Sequence, residues 1–334
     1  MAYKVAILGP IPRDHITTSK GQVIEKLGCV THPAIGLAKL LEGRGEVIPI
    51  THTTEHDAPG IRTLLSAYPN IRLDGIYTHH NQGDVVRLRF VDQNNRLEKQ
   101  TGFMPPITPE DVQPFLDCDA FVCIPISDYE VPLETLQYLK THARPDAVII
   151  FDAHGPTTTV TTTGDRLRRF WVERDRWLPY MDVLKMNIEE AGCSWFKKEY
   201  QLDELREEYL ELSETEMAAF AEHVLQHGVK AVYITLDARG CMLYTLAKGR
   251  LQAEFISSVK VEEVIDTTGC GDSFAGGLAF GLLGDGTAYQ RAAWYANALG
   301  ARRTQGTTFE VFLPLDETWE LIRRNYPTAD SALQ

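Results

Sequence analysis

Asp266-Thr267-Thr268-Gly269-Cys270-Gly271-Asp272 is the stretch that decides how this chain is to be read. The run Val261–Ile265 before it predicts a strand, and Asp272–Leu283 after it predicts a helix. Glycines at 269 and 271 let the backbone turn sharply and approach a ligand closely. The helix that follows offers free N–H groups and the positive end of its dipole, so the turn is an anion site suited to phosphate. Gly276 and Gly277 lower helix propensity, which predicts tight packing of that helix against a sheet. Asp272 has two readings: a partner for the helix dipole, or a general base beside a bound phosphate. Two other glycine-rich signatures are excluded. There is no lysine where a P-loop needs one, and Gly276 stands too far on to complete a dinucleotide fingerprint.

Outward from this turn, strands and helices alternate. Helices are expected from Thr108, over Pro132–Thr141, over Gly164–Tyr180, from the Ser213/Glu216 capping box to Gly228, and over Ala288–Arg303. Strands are expected at Val5–Leu8, Val47–Ile50, Ala120–Ile124, Ala147–Phe151, Asp182–Met186 and Lys230–Thr235, with a hairpin around Lys248-Gly249. Such alternation predicts an α/β fold with a mostly parallel sheet, whose ligands gather at the carboxyl ends of the strands. Asp152, Asn187, Thr235 and Asp266 all fall at expected strand ends. Asp84–Gly102 differs: Val86, Leu88 and Phe90 alternate with polar residues, and Asp92–Asn95 supplies a turn, which predicts an antiparallel hairpin outside the main alternation.

The 334 residues carry a net charge of −13, which argues against general nucleic-acid binding, and no basic amphipathic segment favours a membrane surface. An anionic ligand would therefore need a local cluster of donors. Met1–Gly9 runs straight into an apolar strand without a leader, and six scattered cysteines fit reduced thiols. The expectation is a cytoplasmic protein with no membrane span.

Several motifs together resemble a known family. Asp266–Asp272 resembles the D-T-x-G-A-G-D signature of the ribokinase-like (PfkB) carbohydrate kinases, with Cys270 in place of the usual Ala. Asn187-Ile188-Glu189-Glu190 resembles the family's N-x-x-E motif. Thr235–Gly240 resembles its T-L-G-x-x-G turn, with Asp237 for the first glycine. Gly9–Asp14 resembles its N-terminal strand and acceptor-contacting Asp. The resemblance runs from about residue 4 to about residue 313.

It implies a single ribokinase-like α/β domain over residues 1–334, a three-layer sandwich with a small β-lid from about 13–21 and 84–102. It implies ATP-dependent phosphorylation of a hydroxyl on a small sugar or sugar-like acceptor. In that role Asp272 is the general base, and Gly269, Cys270 and Gly271 stabilise the transferring phosphoryl group. Asn187 and Glu190 position Mg²⁺ and the phosphates. Thr235, Gly240 and Thr268 line the nucleotide, with Asn297 near its base or ribose. Asp14, Gly28, His32 and Asp152 face the acceptor. A monovalent cation such as K⁺ is implied beside Asp266 and Thr268, and a homodimer through the lid is a further expectation.

The acceptor half departs from the pattern. Gly28-Cys29-Val30-Thr31-His32 stands where the family has a paired glycine and an Asn, and Asp152-Ala153-His154-Gly155-Pro156 stands where it has D-x-N-x-R. These changes leave open a nucleoside kinase or a non-catalytic ligand-binding member of the same fold. Histidine pairs at 52/56 and 223/227 have metal-like spacing without the H-E-x-x-H pattern. His79-His80 is placed to reach the site from the lid.

Overall fold

The computed structural model describes residues 2–18, 20–81, 83–91, 96–195 and 212–329. In chain order β1 (Tyr3–Leu8), β2 (Arg13–Thr17), β3 (Val23–Leu27) and α1 (Thr31–Leu40) come first. Next are β4 (Gly45–Thr54), α2 (Ala58–Ser66), β5 (Ile76–His79), β6 (Val85–Phe90) and β7 (Arg96–Thr101). The middle of the chain forms α3 (Pro109–Val112), β8 (Ala120–Cys123), α4 (Leu133–His142), β9 (Val148–Asp152), β10 (Thr158–Val160), β11 (Arg166–Arg168) and α5 (Arg174–Trp177). The remainder forms β12 (Val183–Asn187), α6 (Ile188–Ser194), α7 (Glu214–Gln226), β13 (Ala231–Thr235), β14 (Gly240–Ala247), β15 (Arg250–Ser257), α8 (Cys270–Leu282), α9 (Tyr289–Arg303) and α10 (Leu315–Asn325).

Nine strands form the central sheet in the order β15-β14-β13-β12-β9-β8-β1-β4-β5. It is parallel from β13 to β5, and β14 and β15 extend it antiparallel. The two faces of β1 show how the sandwich is filled. Val5 and Ile7 enter a core with residues of α1, α8, α9 and α10, while Ala6 and Leu8 enter a second core with residues of α4, α6 and α7. Alternate side chains of a buried strand thus serve opposite helix layers. Among the described residues no helix is long and apolar enough to cross a membrane.

A second sheet, β3-β2-β6-β7, stands apart from the first. It pairs β2 with β6 in parallel and the outer strands antiparallel. Its inner face is the small cluster of Ile16, Val86 and Leu88. This sheet takes in both segments expected to form a lid and adds β3, which the sequence reading left out.

Two expected elements do not form. Gly164–Tyr180 is not one helix: Arg166–Arg168 pairs antiparallel with Thr158–Val160, and only Arg174–Trp177 is α-helical. The Arg166 guanidinium is buried against lid residues, and these contacts override the local helical spacing. Val261–Ile265 is not a strand either. It finds no neighbour in the sheet, and Ile265 and Asp266 donate their N–H groups to the Thr304 carbonyl. The charge run Glu204–Glu216 lies mostly outside the described residues, as does the turn Asp92–Asn95.

Candidate active site

Strands β9, β12 and β13 are neighbours and end at Asp152, Asn187 and Thr235. Asn187 is the register partner of Thr235, and Lys185 that of Asp152. The glycine-rich turn lies against this edge. Gly269 has φ +85° and caps α8 without a side-chain hydrogen bond. A Cβ on Gly269 would stand 2.3 Å from the His32 ring, so both the conformation and the space require glycine. The turn is braced by Asp266 Oδ1, which accepts from Thr268 N at 2.9 Å, and by the Gly269 carbonyl, which accepts from Ser273 Oγ at 2.7 Å. Asp272 sits half-buried in the first turn of α8. The later glycines pack against helices rather than the sheet. A Cβ on Gly276 would lie 2.8 Å from Pro33, and one on Gly277 would lie 2.4 Å from Ala296.

Cations surround the turn in a chain that is acidic overall. The Lys185 ammonium lies 3.1 Å from where a Cβ on Gly271 would stand, and it donates to Asp152 Oδ2 at 2.7 Å. Burial lowers the Lys185 pKa, but Asp152, Glu190 and Asp272 outweigh it and hold the group above the ordinary lysine value. Burial pushes the Asp152 carboxyl up, against the pull of Lys185. Arg303, fully buried, donates to Asp266 Oδ2 at 2.8 Å and to His32 Nδ1 at 3.1 Å. Lys26, on lid strand β3, also reaches Asp266.

Asn187 and Glu190 form a reciprocal cap of α6. Each side chain accepts the other's backbone N–H at 2.8 Å. Glu190 is almost fully buried, and its second oxygen accepts from His154 Nδ1 at 2.9 Å and lies 3.4 Å from Arg168. Burial pushes this carboxyl up, but His154, Arg168 and Lys185 prevail and hold it well below the usual glutamate range.

Gly240 is the register partner of Ser257, and the Ser257 carbonyl accepts from Asn297 Nδ2 at 3.2 Å. Thr235, Gly240 and Asn297 therefore lie along one edge of the site, continuous with Asn187. On the opposite side, Asp14 is buried in β2, and Gly28 lies so close that a Cβ there would stand 2.1 Å from its carboxylate. His32 is completely buried. Burial, then Arg303 and Lys26, push its pKa well below the ordinary value. At the lid root Asp84 lies near Glu130, and burial followed by the Glu130 charge pushes its carboxyl up to about 7. His79 pairs with His52 at 2.5 Å, and the exposed His80 pairs with Glu55, so neither joins the site.

Sequence reading missed Lys185, Arg303, Lys26, Arg166 and Arg168. Lys185 carried a legible signal, being a charge inside a strand otherwise patterned as buried. Arg303 carried a fainter one, at the end of an alanine-rich helix.

Residues 150–309 match the family model described as pfkB family carbohydrate kinase. Over 85 residues the chain is 36% identical to 2-dehydro-3-deoxygluconokinase of Bacillus subtilis (strain 168). That match spans 25% of this chain and 25% of the relative's length. Among solved structures, Arabidopsis thaliana ribokinase complexed with ribose and ATP superimposes with a TM-score of 0.71 at 15% identity, covering 97% of this chain and 99% of that one. A sulfate complex of a pyrophosphate-dependent kinase in the ribokinase family gives 0.70 at 18% identity, covering 95% and 99%. At these identities the structural likeness establishes the fold.

Proposed function

We propose that this chain, of which residues 150–309 match the pfkB family carbohydrate kinase model, transfers a phosphoryl group from ATP to a hydroxyl of a small sugar or sugar-like acceptor. One observation carries the reading. A carboxylate, Asp272, stands in the first turn of a helix whose N-terminus no side chain caps, beside a buried lysine. The positive end of the α8 dipole and Lys185 favour the phosphate, and Asp272 is placed to take a proton from an attacking hydroxyl. Phosphoryl transfer asks for little beyond such positioning and charge stabilisation.

The residues fit a nucleotide. A side chain on Gly271 would crowd the Lys185 ammonium, and Thr268 Oγ1 is buried without a hydrogen-bond partner. Gly269, Cys270 and Gly271 would cradle the transferring group, and Thr235, Gly240, Thr268 and Asn297 would line the nucleoside end. Bound Mg²⁺ would offset charge on the phosphates. Glu190 already accepts from Asn187 and His154, which suits holding a hydrated ion better than ligating it directly. Asp14, Gly28 and Asp152 remain the acceptor side, while His32 supports the Gly269 turn from within the protein. Asp266 does not fit a monovalent cation, because Lys26 and Arg303 already neutralise it.

The acceptor half favours no named sugar, and a nucleoside acceptor is the second reading. The test is a phosphate-donor consumption assay with ATP and, separately, pyrophosphate, over sugars, sugar acids and nucleosides. Turnover that disappears in Asp272→Asn supports the proposal. No turnover with any acceptor, together with tight ligand binding, would indicate a sensor. The outer lid strands β3 and β7 are the surface through which we propose a homodimer, and the site calls for neither nucleic acid nor membrane. Six free cysteines, five of them buried, accord with a cytoplasmic location.

A further inference from the structure

We propose that Asp175, His223 and His227 form a site for a first-row transition-metal ion, with zinc the preferred occupant, remote in role from the phosphoryl-transfer site. His223 lies in the last turn of α7 and His227 is its C-terminal cap, so the two rings share one face. Asp175 comes from a separate element, α5. One potential ligand atom from each of the three lies within 4.8 Å of the other two. A tetrahedral zinc with bonds of about 2.0 Å needs its ligands roughly 3.3 Å apart. His223 Nε2 and Asp175 Oδ1 are already 2.8 Å apart, so small rotamer changes suffice.

The tautomer of His227 is fixed by its neighbour. Its Nδ1 lies 2.8 Å from the His223 carbonyl, which can only accept, so Nδ1 carries the proton. That leaves the Nε2 lone pair free, the form in which a ring oriented by a backbone carbonyl binds metal. The C-terminal end of α7 adds the negative end of a helix dipole, which favours a cation. The ion would take the place of the proton now shared by His223 and Asp175. Its competitor is Arg174, whose Nε lies 3.3 Å from Asp175 Oδ1 but whose guanidinium also stacks over Trp195. Two imidazoles and one carboxylate select zinc, nickel or copper over magnesium and calcium, which want oxygen ligands throughout. Asp175 is exposed and both rings are half-buried, so an ion enters without unfolding. Bound there, it ties the short α5 to α7.

The experiment is calorimetric titration of the tag-free, metal-stripped full chain with zinc chloride, in excess magnesium to occupy oxygen-only sites. The expected result is one zinc per chain, micromolar or tighter, with a rise in melting temperature. Cobalt substitution should give the visible bands of a tetrahedral site. Asp175→Asn and the double variant His223→Ala/His227→Ala should each weaken zinc by about tenfold or more while melting like the wild type without metal. Equal affinity in the double variant overturns the proposal. So does the absence of saturable zinc binding in the wild type.

Discussion

His154 donates from Nδ1 to Glu190 at 2.9 Å and accepts at Nε2 from Arg166 at 3.0 Å. Arg166 in turn holds Glu98 and Gln100, both on lid strand β7. A single ring thus joins the lid to the carboxylate that caps α6. Replacing it (His154→Ala) takes a partner from both Glu190 and Arg166, buried groups that are costly to leave under-satisfied. The expected loss is about 1–3 kcal/mol of stability, measured by urea denaturation. An unchanged midpoint would show that the ring carries no such coupling.

Asp272 is tested by the isosteric amide. Asp272→Asn should lose roughly 10²–10⁴-fold in turnover, the range for a general base, with nucleotide affinity preserved. Parallel measurement of turnover and nucleotide dissociation separates proton abstraction from binding. Near-normal turnover would return Asp272 to the role of a helix-dipole partner.

The lid root should make stability depend on pH. The carboxyl of Asp84 is raised to about 7 in the folded protein, above its unfolded value near 3.8. The folded state therefore binds this proton more tightly, and the contribution is fully present below about pH 4. It is lost as pH rises through 7. Asp84→Asn should remove that slope and leave the variant more stable than wild type by roughly 1–3 kcal/mol above pH 7. Denaturation midpoints at pH 5, 6, 7 and 8 give the comparison (roughly one unit apart), and parallel curves for the two proteins would refute the assignment.

Asp266 is paired with two buried cations, Lys26 and Arg303. A free monovalent ion gains little there. Turnover should be equal in potassium chloride and tetramethylammonium chloride at matched ionic strength. Activation by potassium would mean that the Lys26 ammonium leaves Asp266 during the reaction cycle.

Much of the fold was readable because buried parallel strands and amphipathic helices leave periodic traces. β1, β8, β9, β12 and β13 were placed within a residue or two from apolar runs alone. The capping box read at Ser213/Glu216 marks a true helix start. The failures have separate causes. Arg166–Arg168 reads as helix locally and becomes strand because its arginines are wanted by distant carboxylates. Val261–Ile265 reads as strand and finds no neighbour. In the site, the anion turn and Asp272 were visible as a contiguous motif. Lys26 was not, and Lys185 and Arg303 showed only as charges inside apolar elements, since ion pairs between residues far apart in sequence leave no local pattern that names the partner.

The separations themselves have a consequence for how the molecule comes into being. Lys26 and Asp266 are 240 positions apart, and His32 and Arg303 are 271 apart. Both contacts converge on the glycine-rich turn at Gly269. A nascent chain that has already built its lid and the first half of its sheet still lacks the helix that makes the turn, and then the arginine that braces it. The turn is fully braced only once Arg303 has left the ribosome and reaches His32 and Asp266, so a chain terminated before that point would lack the brace.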